Sequence, residues 1–220
     1  MKAIIIDTET SSLDEKKGEV LQIAWQVTDG DFNTLSRKNH YLRMTRHPDA
    51  SSMAVNGLDK GFLEANAGDP FFVYSLLLED LRDADIVIGH FVQFDIRHIK
   101  ADAVRRLSRG GSRALKKALD SKPRFDTKLD TALTSGIWME RRHPGPRLQE
   151  LCGSLFLDTD DISFHSADGD VEAVRRCCAQ MRKALPACIG ELRERAERGP
   201  APSPARRIRT VLSRPFRKEA

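Results

Sequence analysis

Four carboxylates and one histidine in this sequence stand where their side chains could act together on a phosphate ester. Asp7 and Glu9 end an isoleucine-rich run, Asp95 follows a second apolar run, and Asp170 stands five residues after His165. Two carboxylates on one face of a strand repel each other unless a cation lies between them. Mg²⁺ and Mn²⁺ take oxygen ligands. Two such ions could activate a water and stabilise a leaving oxygen, while His165 takes the proton of the water.

Each of these groups also has a simpler interpretation. Acidic pairs at the same spacing recur at 29/31, 83/85, 158/160 and 168/170, so the first pair alone is weak evidence. Asp95 would equally suit the first turn of a helix, where a negative charge is favourable. Ser166 or Asp168 could cap a helix and leave His165 merely exposed. The order of the groups, each beside a predicted strand or helix, favours the chemical interpretation.

The elements that must position these groups are those of an α/β domain. Apolar runs predict strands at 3–7, 20–27, 86–89 and 124–127, and the end of a further strand at 38–43. Helical periodicity predicts helices at 71–82, 96–107, 148–155 and 171–181. Strands followed by helices imply a layered sheet.

The composition is that of a globular protein. The chain has 220 residues, of which 40% are hydrophobic and 31% charged, with a net charge of +4. These values exclude collagenous and fully disordered chains. The longest apolar runs are too short for a membrane helix, so we expect no membrane association. The spacing of the four cysteines fits no zinc site, and we expect reduced thiols in a cytoplasmic protein.

The positive charge is concentrated near the end of the sequence. Residues 198–220 hold seven basic residues against Glu219, a net charge of +6, which leaves −2 on residues 1–197. We therefore expect a catalytic domain over 1–197 and a Pro/Arg-rich tail over 198–220. The tail is either a solvated extension or a basic arm for nucleic acid or a protein partner.

A second basic segment lies inside the domain. Residues 108–124 carry six basic residues against Asp120, a net charge of +5. The glycine pair 110–111 and Pro123 bracket a loop or a short helix. The segment is either a solvated face or a contact for phosphates.

Taken together, the motifs resemble those of the DEDDh 3′–5′ exonucleases, the proofreading-exonuclease family. The segment from Asp7 to Thr10 is similar to the first family motif. The segment from His90 to Asp95 is similar to the second, whose usual form is His-Asn-x-x-Phe-Asp, and that from His165 to Asp170 is similar to the third. The segment Pro146-Arg147-Leu148-Gln149-Glu150-Leu151-Cys152 is similar to the stretch that precedes the third motif. The resemblance covers roughly residues 3–185.

The resemblance implies a ribonuclease H-like fold with a mixed five-stranded sheet flanked by helices on both faces. It implies two Mg²⁺ or Mn²⁺ ions per site. Asp7 would bridge both ions, Glu9 and Asp170 would complete the shell of the first, and Asp95 would act on the second through water. His165 would be the general base. Residues implied to contact the substrate are Thr8, Thr10, Leu13, His90, Phe91 and Phe94.

Phe91 departs from the family pattern, which usually has Asn there. Its ring could stack on a base or belong to the core, the more frequent place for Phe. Leu13 falls where the family has an apolar wedge beside the terminal base, and it could equally be ordinary loop packing. Residues 108–123 are longer and more basic than is usual in the family, and the tail matches nothing in it.

Four functions are compatible with these features. The first is a 3′–5′ exonuclease that releases nucleoside 5′-monophosphates from DNA, with single-stranded DNA or 3′ ends as substrate. The second is an exoribonuclease, since no residue here distinguishes a 2′-hydroxyl group. The third is a non-catalytic nucleic-acid adaptor, which the presence of all five site residues disfavours. The fourth is a proofreading subunit recruited to a polymerase through the tail.

Overall fold

The computed structural model describes residues 1–46, 48–130 and 145–182. Three strands open the chain and form an antiparallel meander: β1 (Ala3–Thr10), β2 (Val20–Thr28) and β3 (Thr34–Leu42). Two short helices, α1 (Ala50–Asn56) and α2 (Lys60–Asn66), lead to a two-residue strand, β4 (Ala67–Gly68). Neither these helices nor β4 was predicted from the sequence.

The second half of the domain alternates helices and strands. α3 (Pro70–Asp83) precedes β5 (Ile86–Gly89), and the helical pair α4 (Val92–Arg106) and α5 (Arg109–Ser121) precedes β6 (Arg124–Asp126). After residues 131–144 follow α6 (Leu148–Ser154) and α7 (Ala167–Met181). The five predicted strands and four predicted helices are all present, with ends that differ by up to four residues.

The six described strands form one mixed sheet in the order β4-β3-β2-β1-β5-β6. β5 pairs parallel to β1 and β6 pairs parallel to β5. The predicted mixed, ribonuclease H-like architecture is therefore confirmed, with β4 as one strand beyond the five expected. The parallel strands β1, β5 and β6 end at the same edge, where open α/β sheets usually bind their ligands.

Helices cover both faces of the sheet, because successive side chains of a strand point to opposite faces. Ile4 and Ile6 of β1 pack with the apolar residues of α3, α4 and α5. Ala3 and Ile5 pack on the other face with α6 and α7. The site residues thus lie between two packed layers. No helix in the described ranges has the length and apolar character that crossing a membrane requires.

The cysteines agree with the prediction as far as the structure describes them. Cys152, Cys177 and Cys178 are free and buried, and the sulfur atoms of Cys152 and Cys177 lie 3.6 Å apart. Cys188 and the whole 198–220 tail lie outside the described residues, so the predicted roles of the tail remain predictions.

Candidate active site

Strand β1 delivers the first two carboxylates. Asp7 and Glu9 are two residues apart on β1, so both side chains point to the face that α7 covers. There Asp170, in the first turn of α7, joins them. One carboxylate oxygen from each of the three residues lies within 4.8 Å of the other two. The structure therefore brings together the three groups that the resemblance assigns to the first metal ion.

Asp95 approaches the same strand from the opposite side. Helix α4 begins at Val92, four residues before the predicted start, so Asp95 lies in its first turn and is 2% exposed. Its Oδ1 accepts hydrogen bonds from the backbone N–H and the hydroxyl group of Thr8, at 3.0 and 2.7 Å. Thr8 stands between Asp7 and Glu9. The predicted substrate residue Thr8 thus fixes the fourth carboxylate beside the other three.

The N-terminus of α7 is fixed by a glutamine that the sequence analysis did not single out. The amide oxygen of Gln22, on β2, accepts from the backbone N–H of Ala167 at 3.2 Å, and its amide nitrogen donates to the Ser166 hydroxyl group at 3.3 Å. Gln22 is 1% exposed. Gln22 and Gln26 interrupt the apolar run of β2, and a buried polar residue in such a strand was the signal that could have found Gln22.

The neighbouring acid, Asp168, has a different role from Asp170. Arg37 on β3 donates to both carboxylate oxygens of Asp168, at 2.7 and 2.6 Å. Asp168 therefore anchors α7 to the sheet, whereas Asp170, two residues on, belongs to the acidic cluster.

The pKa values of all four carboxylates are raised. Burial first, and then the charges of Asp170 and Asp95, raise the pKa of Glu9 to about 8. Burial likewise raises the pKa of Asp95 to about 7 and that of Asp170 to about 6. The pKa of Asp7 also lies well above its usual range, first through burial and then through the other three acids. Such a cluster binds cations because a cation relieves this repulsion.

A buried oxygen shows that the site suits a hard divalent cation. Oδ1 of Asp170 is buried and has no hydrogen-bond partner in the described part of the chain. A buried polar atom without a partner is costly, and a metal ion would satisfy it. The donors around it are all carboxylate oxygens, which Mg²⁺ and Mn²⁺ prefer. The residues present therefore fit the implied ions.

His165 stands at the rim of this cluster. It is exposed, has a φ of 61°, and precedes α7 by two residues. Burial raises the pKa of Asp170, and the charge and the backbone N–H of His165 offset part of that rise, so His165 lies beside Asp170. A Cβ atom at Gly169 would overlap the carbonyl oxygen of Ser163, so the loop that carries His165 packs directly on the helix.

An arginine holds the same loop from the other end. Arg176 on α7 donates to both carboxylate oxygens of Asp161, at 2.8 and 2.6 Å, and to the carbonyl oxygen of Asp158 at 3.0 Å. It also donates to Glu172 at 2.9 Å. The loop at 158–165 is thus held to α7 at both ends, which limits where His165 can lie.

The remaining predicted substrate residues differ in their accessibility. Leu13 is 75% exposed and Phe91 is 39% exposed, so both can contact a ligand. Thr10 is 6% exposed, and its hydroxyl group donates to the Ser12 carbonyl oxygen at 3.0 Å. Phe94 is half-buried between Phe91 and His98. Thr10 therefore holds the loop next to Leu13, and Phe94 packs beside the ring of Phe91.

His90 was expected at the substrate and instead holds two segments together. Its Nδ1 lies 3.0 Å from the Thr127 hydroxyl group, and its Nε2 lies 3.0 Å from the carbonyl oxygen of Pro146. Burial lowers the pKa of His90 to about 4. Both ring nitrogens already have protein partners, so His90 positions the chain before α6 and has no free nitrogen for a ligand.

The basic segment 108–124 is a helix followed by the start of β6. Lys122 donates to the carbonyl oxygens of Arg82 and Ala84, and Arg124 donates to Gln93 at 2.6 Å. These two residues are therefore structural. The exposed members of the segment are Arg109, Arg113 and Lys117 on α5.

A family model of known proteins matches most of this chain. Residues 4–176 match the family model RNase_T, described as exonuclease. All five predicted catalytic residues lie inside the matched range. No curated protein sequence matches the chain at a significant level.

Solved structures share the fold at low sequence identity. Exonuclease I of E. coli in complex with a dA16 oligonucleotide has a TM-score of 0.70 at 19% identity, over 86% of this chain and 42% of that one. Its complex with a dT13 oligonucleotide has a TM-score of 0.69 at 16% identity, over 86% and 43%. Exonuclease I from Methylocaldum szegediense has a TM-score of 0.65 at 17% identity, over 86% and 42%. The chain thus spans less than half the length of these proteins.

Proposed function

This chain belongs to the RNase_T exonuclease family, and on that premise we propose that it is a metal-dependent 3′–5′ exonuclease. It releases nucleoside 5′-monophosphates from the 3′ ends of DNA. The observation that carries the proposal is the convergence of Asp7, Glu9 and Asp170 within 4.8 Å, with Asp95 held beside them through Thr8. These are the four carboxylates of the family motifs.

The carboxylates are the groups that would hold two Mg²⁺ or Mn²⁺ ions. Burial first, and then each of the other three acids, raises the pKa of Asp7. Asp7 is therefore suited to share both ions. Glu9 and Asp170 would hold the first, and Asp95 would act on the second through water. When bound, the ions supply a lowered pKa for water and charge stabilisation at the phosphate.

His165 is the group that we assign to proton transfer. A general base must reach the proton that it takes, and an exposed imidazole at the rim of the acidic cluster can do so. The packing of Ser163 on Gly169 and the contacts of Arg176 hold the loop of His165 without burying its ring. The imidazole then accepts a proton from the attacking water at the open side of the site.

DNA with an unpaired end is the substrate that we propose. Two of the structures with this fold hold single-stranded DNA oligonucleotides, which supports this choice. In this chain, Leu13 is exposed on the loop after β1, where it can lie against the last base. RNA is the alternative substrate, because neither Leu13 nor the acidic cluster distinguishes a 2′-hydroxyl group.

Digestion of labelled oligonucleotides tests the proposal. A 5′-labelled single strand of DNA, its duplex and the matching RNA are incubated with the full chain and Mg²⁺ or Mn²⁺. We expect a ladder shortening from the 3′ end, fastest for single-stranded DNA, with 5′-mononucleotides as product. Asp7→Asn and excess chelator should each stop the reaction, while Asp31→Asn, an exposed acid of a second Asp-x-Asp pair, should not.

Two results would contradict the proposal. Undiminished digestion in chelator would exclude the metal mechanism. Release of the 5′ label as a mononucleotide at the start of the reaction would show that digestion runs from the 5′ end instead. A faster reaction on RNA would replace DNA by RNA as the substrate and leave the mechanism in place.

A further inference from the structure

Phe91 is an exposed aromatic residue in an unusual backbone conformation at the edge of the site. It caps the N-terminus of α4 with a φ of 70° and is 39% exposed. The left-handed region is uncommon for bulky residues and is best tolerated by Asn and Gly. Asn is the residue that the related family motif usually has here. A partly exposed ring at this position therefore needs a reason other than core packing.

One buried carboxylate fixes Phe91 together with Lys128. Oδ1 of Asp126, at the end of β6, accepts from the backbone N–H of Phe91 and from that of Lys128, both at 2.9 Å. Asp126 is 7% exposed. The carboxylate of Asp126 therefore holds the backbone of both residues, Phe91 after the end of β5 and Lys128 after the end of β6. The ammonium group of Lys128 lies over the Phe91 ring, 5.4 Å from its centroid.

A row of rings connects Phe91 toward Leu13. Phe94 stacks on Phe91 with ring centroids 6.4 Å apart, and Phe94 in turn lies 4.3 Å from the ring of His98. Nε2 of His98 lies 3.3 Å from the carbonyl oxygen of Leu13. The row follows the first turns of α4, where Asp95 also lies. Phe91 is thus the exposed end of a row of rings that begins beside Asp95 and is otherwise buried or half-buried.

We propose that Phe91 and Lys128 form a nucleotide subsite, in which an unpaired base stacks on the Phe91 ring and the phosphate of that nucleotide contacts the Lys128 ammonium group. Without a nucleotide, the Lys128 ammonium group has only a weak cation–π interaction with the Phe91 ring. A phosphate is a stronger partner for an ammonium group. When a nucleotide binds, the ammonium group therefore moves to the phosphate, and the base takes its place over the ring. The subsite rests on the proposed function and sharpens it, because it selects a single-stranded end.

The subsite is independent of the sugar. A ring contacts the face of a base, and an ammonium group contacts a phosphate, so neither reads the 2′-hydroxyl group. Every base has a face that can stack, so the preference among the four bases is weak. The subsite therefore recognises a base that is unpaired and not stacked on the neighbouring bases of its strand.

Binding measurements on the full chain test this subsite without turnover. In an Asp7→Asn background, fluorescence anisotropy gives the Kd of a fluorescein-labelled single-stranded DNA, with and without abasic sites at the last two nucleotides. Phe91→Asn should weaken binding of the normal strand by about 5- to 100-fold, the range for removal of one base–aromatic stack. It should weaken binding of the abasic strand far less.

Lys128→Met gives the complementary result. It should weaken binding of both strands to a similar degree, because the phosphates are unchanged, and its effect should shrink as salt rises. Phe156→Asn is the matched control, because Phe156 also has a left-handed backbone, with a φ of 55°, and is 96% exposed beyond the end of α6. It should leave the Kd unchanged.

Three outcomes would overturn the subsite: equal losses for Phe91→Asn on normal and abasic strands, a loss no larger than that of Phe156→Asn, or a salt-independent effect of Lys128→Met. Misfolding is separated by thermal unfolding, since Asn suits a left-handed position and Phe91→Asn should unfold no earlier than the parent. Failure of the proposed function would show in a different measurement, the digestion assay, in which the wild-type chain would release no mononucleotides.

Discussion

Replacing Gln22 tests whether strand β2 sets the position of the catalytic helix. Gln22→Met keeps an unbranched side chain of similar length and removes the amide group. The change deletes the bonds to Ser166 and Asn39 and leaves the buried N–H of Ala167 without its partner. One buried unpaired donor costs about 1–3 kcal/mol. We therefore expect the free energy of unfolding to fall by about 2–3 kcal/mol.

The effect on activity should be larger than the loss of stability suggests. Asp170 lies three residues after Ala167, so a shift of the helix N-terminus moves a metal ligand directly. A displacement of about 1 Å at a reacting centre can reduce the rate by about 100-fold. We expect kcat at saturating metal to fall by about 10- to 100-fold, and a higher concentration of Mg²⁺ or Mn²⁺ to be needed for half-maximal rate.

Gln26→Met is the matched control, four residues along β2 on the same face. Gln26 is also 1% exposed, and it donates to Glu172 of the same helix at 3.0 Å. Glu172 keeps its partners Arg175 and Arg176, so the loss of stability should be about 1 kcal/mol and kcat should stay within about threefold. Chemical denaturation and steady-state kinetics measure both variants. Equal kcat values for the two variants would refute the positioning role of Gln22.

Three further results follow from the structure. Asp102 is fully buried between Tyr74, Arg105 and Arg106, so Asp102→Asn should lower the free energy of unfolding by about 3–5 kcal/mol. Asp120 has a side chain that is 59% exposed, so Asp120→Asn should lower it by at most about 1 kcal/mol. Equal losses for the two variants in chemical denaturation would contradict this prediction. Because the pKa of Glu9 is raised to about 8 and that of Asp95 to about 7, the folded chain holds protons that the unfolded chain releases. Its melting temperature in chelator should therefore fall by about 5 °C or more between about pH 4 and pH 8, and saturating Mg²⁺ should remove most of that fall; a pH-independent value in chelator would argue against the acidic cluster. Arg176→Met should reduce kcat about tenfold by releasing the loop of His165, with little change in metal requirement, and an unchanged kcat would show that the loop needs no clamp.

The sequence was sufficient where the signal was local. Runs of apolar residues placed the predicted strands and helices, and the ordered acids and His165 placed the site. Asp7 and Glu9 share a strand, so alternation alone puts their side chains on one face. Family motifs supplied the distant partners, Asp95 and Asp170, which no local pattern could have joined to them.

Element starts were less predictable because distant partners set them. α4 begins at Val92 because the carboxylate of Asp126, at the end of β6, accepts a hydrogen bond from the backbone N–H of Phe91, the residue before the helix. α7 begins at Ala167, where Gln22 of β2 accepts its first N–H. In both cases the residue that stabilises the helix start is remote in sequence, which periodicity cannot detect.

The role of His90 was likewise decided by contacts remote in sequence. Its motif position suggested a substrate contact, but Thr127 and Pro146 take both ring nitrogens. The sequence carries no local indication of these partners. Only the fold therefore shows which partners the His90 side chain contacts.

The outer edge of β3 has a consequence for how this protein can be handled. β4 covers only Tyr41 and Leu42, so residues 34–40 have no strand on their outer side in the described part of the chain. An uncovered strand edge can pair with another molecule and start aggregation, and charged side chains oppose this. Arg37 and Lys38 supply such charges here. Replacing Arg37 with an apolar residue would therefore both release Asp168 and remove a guard against self-association.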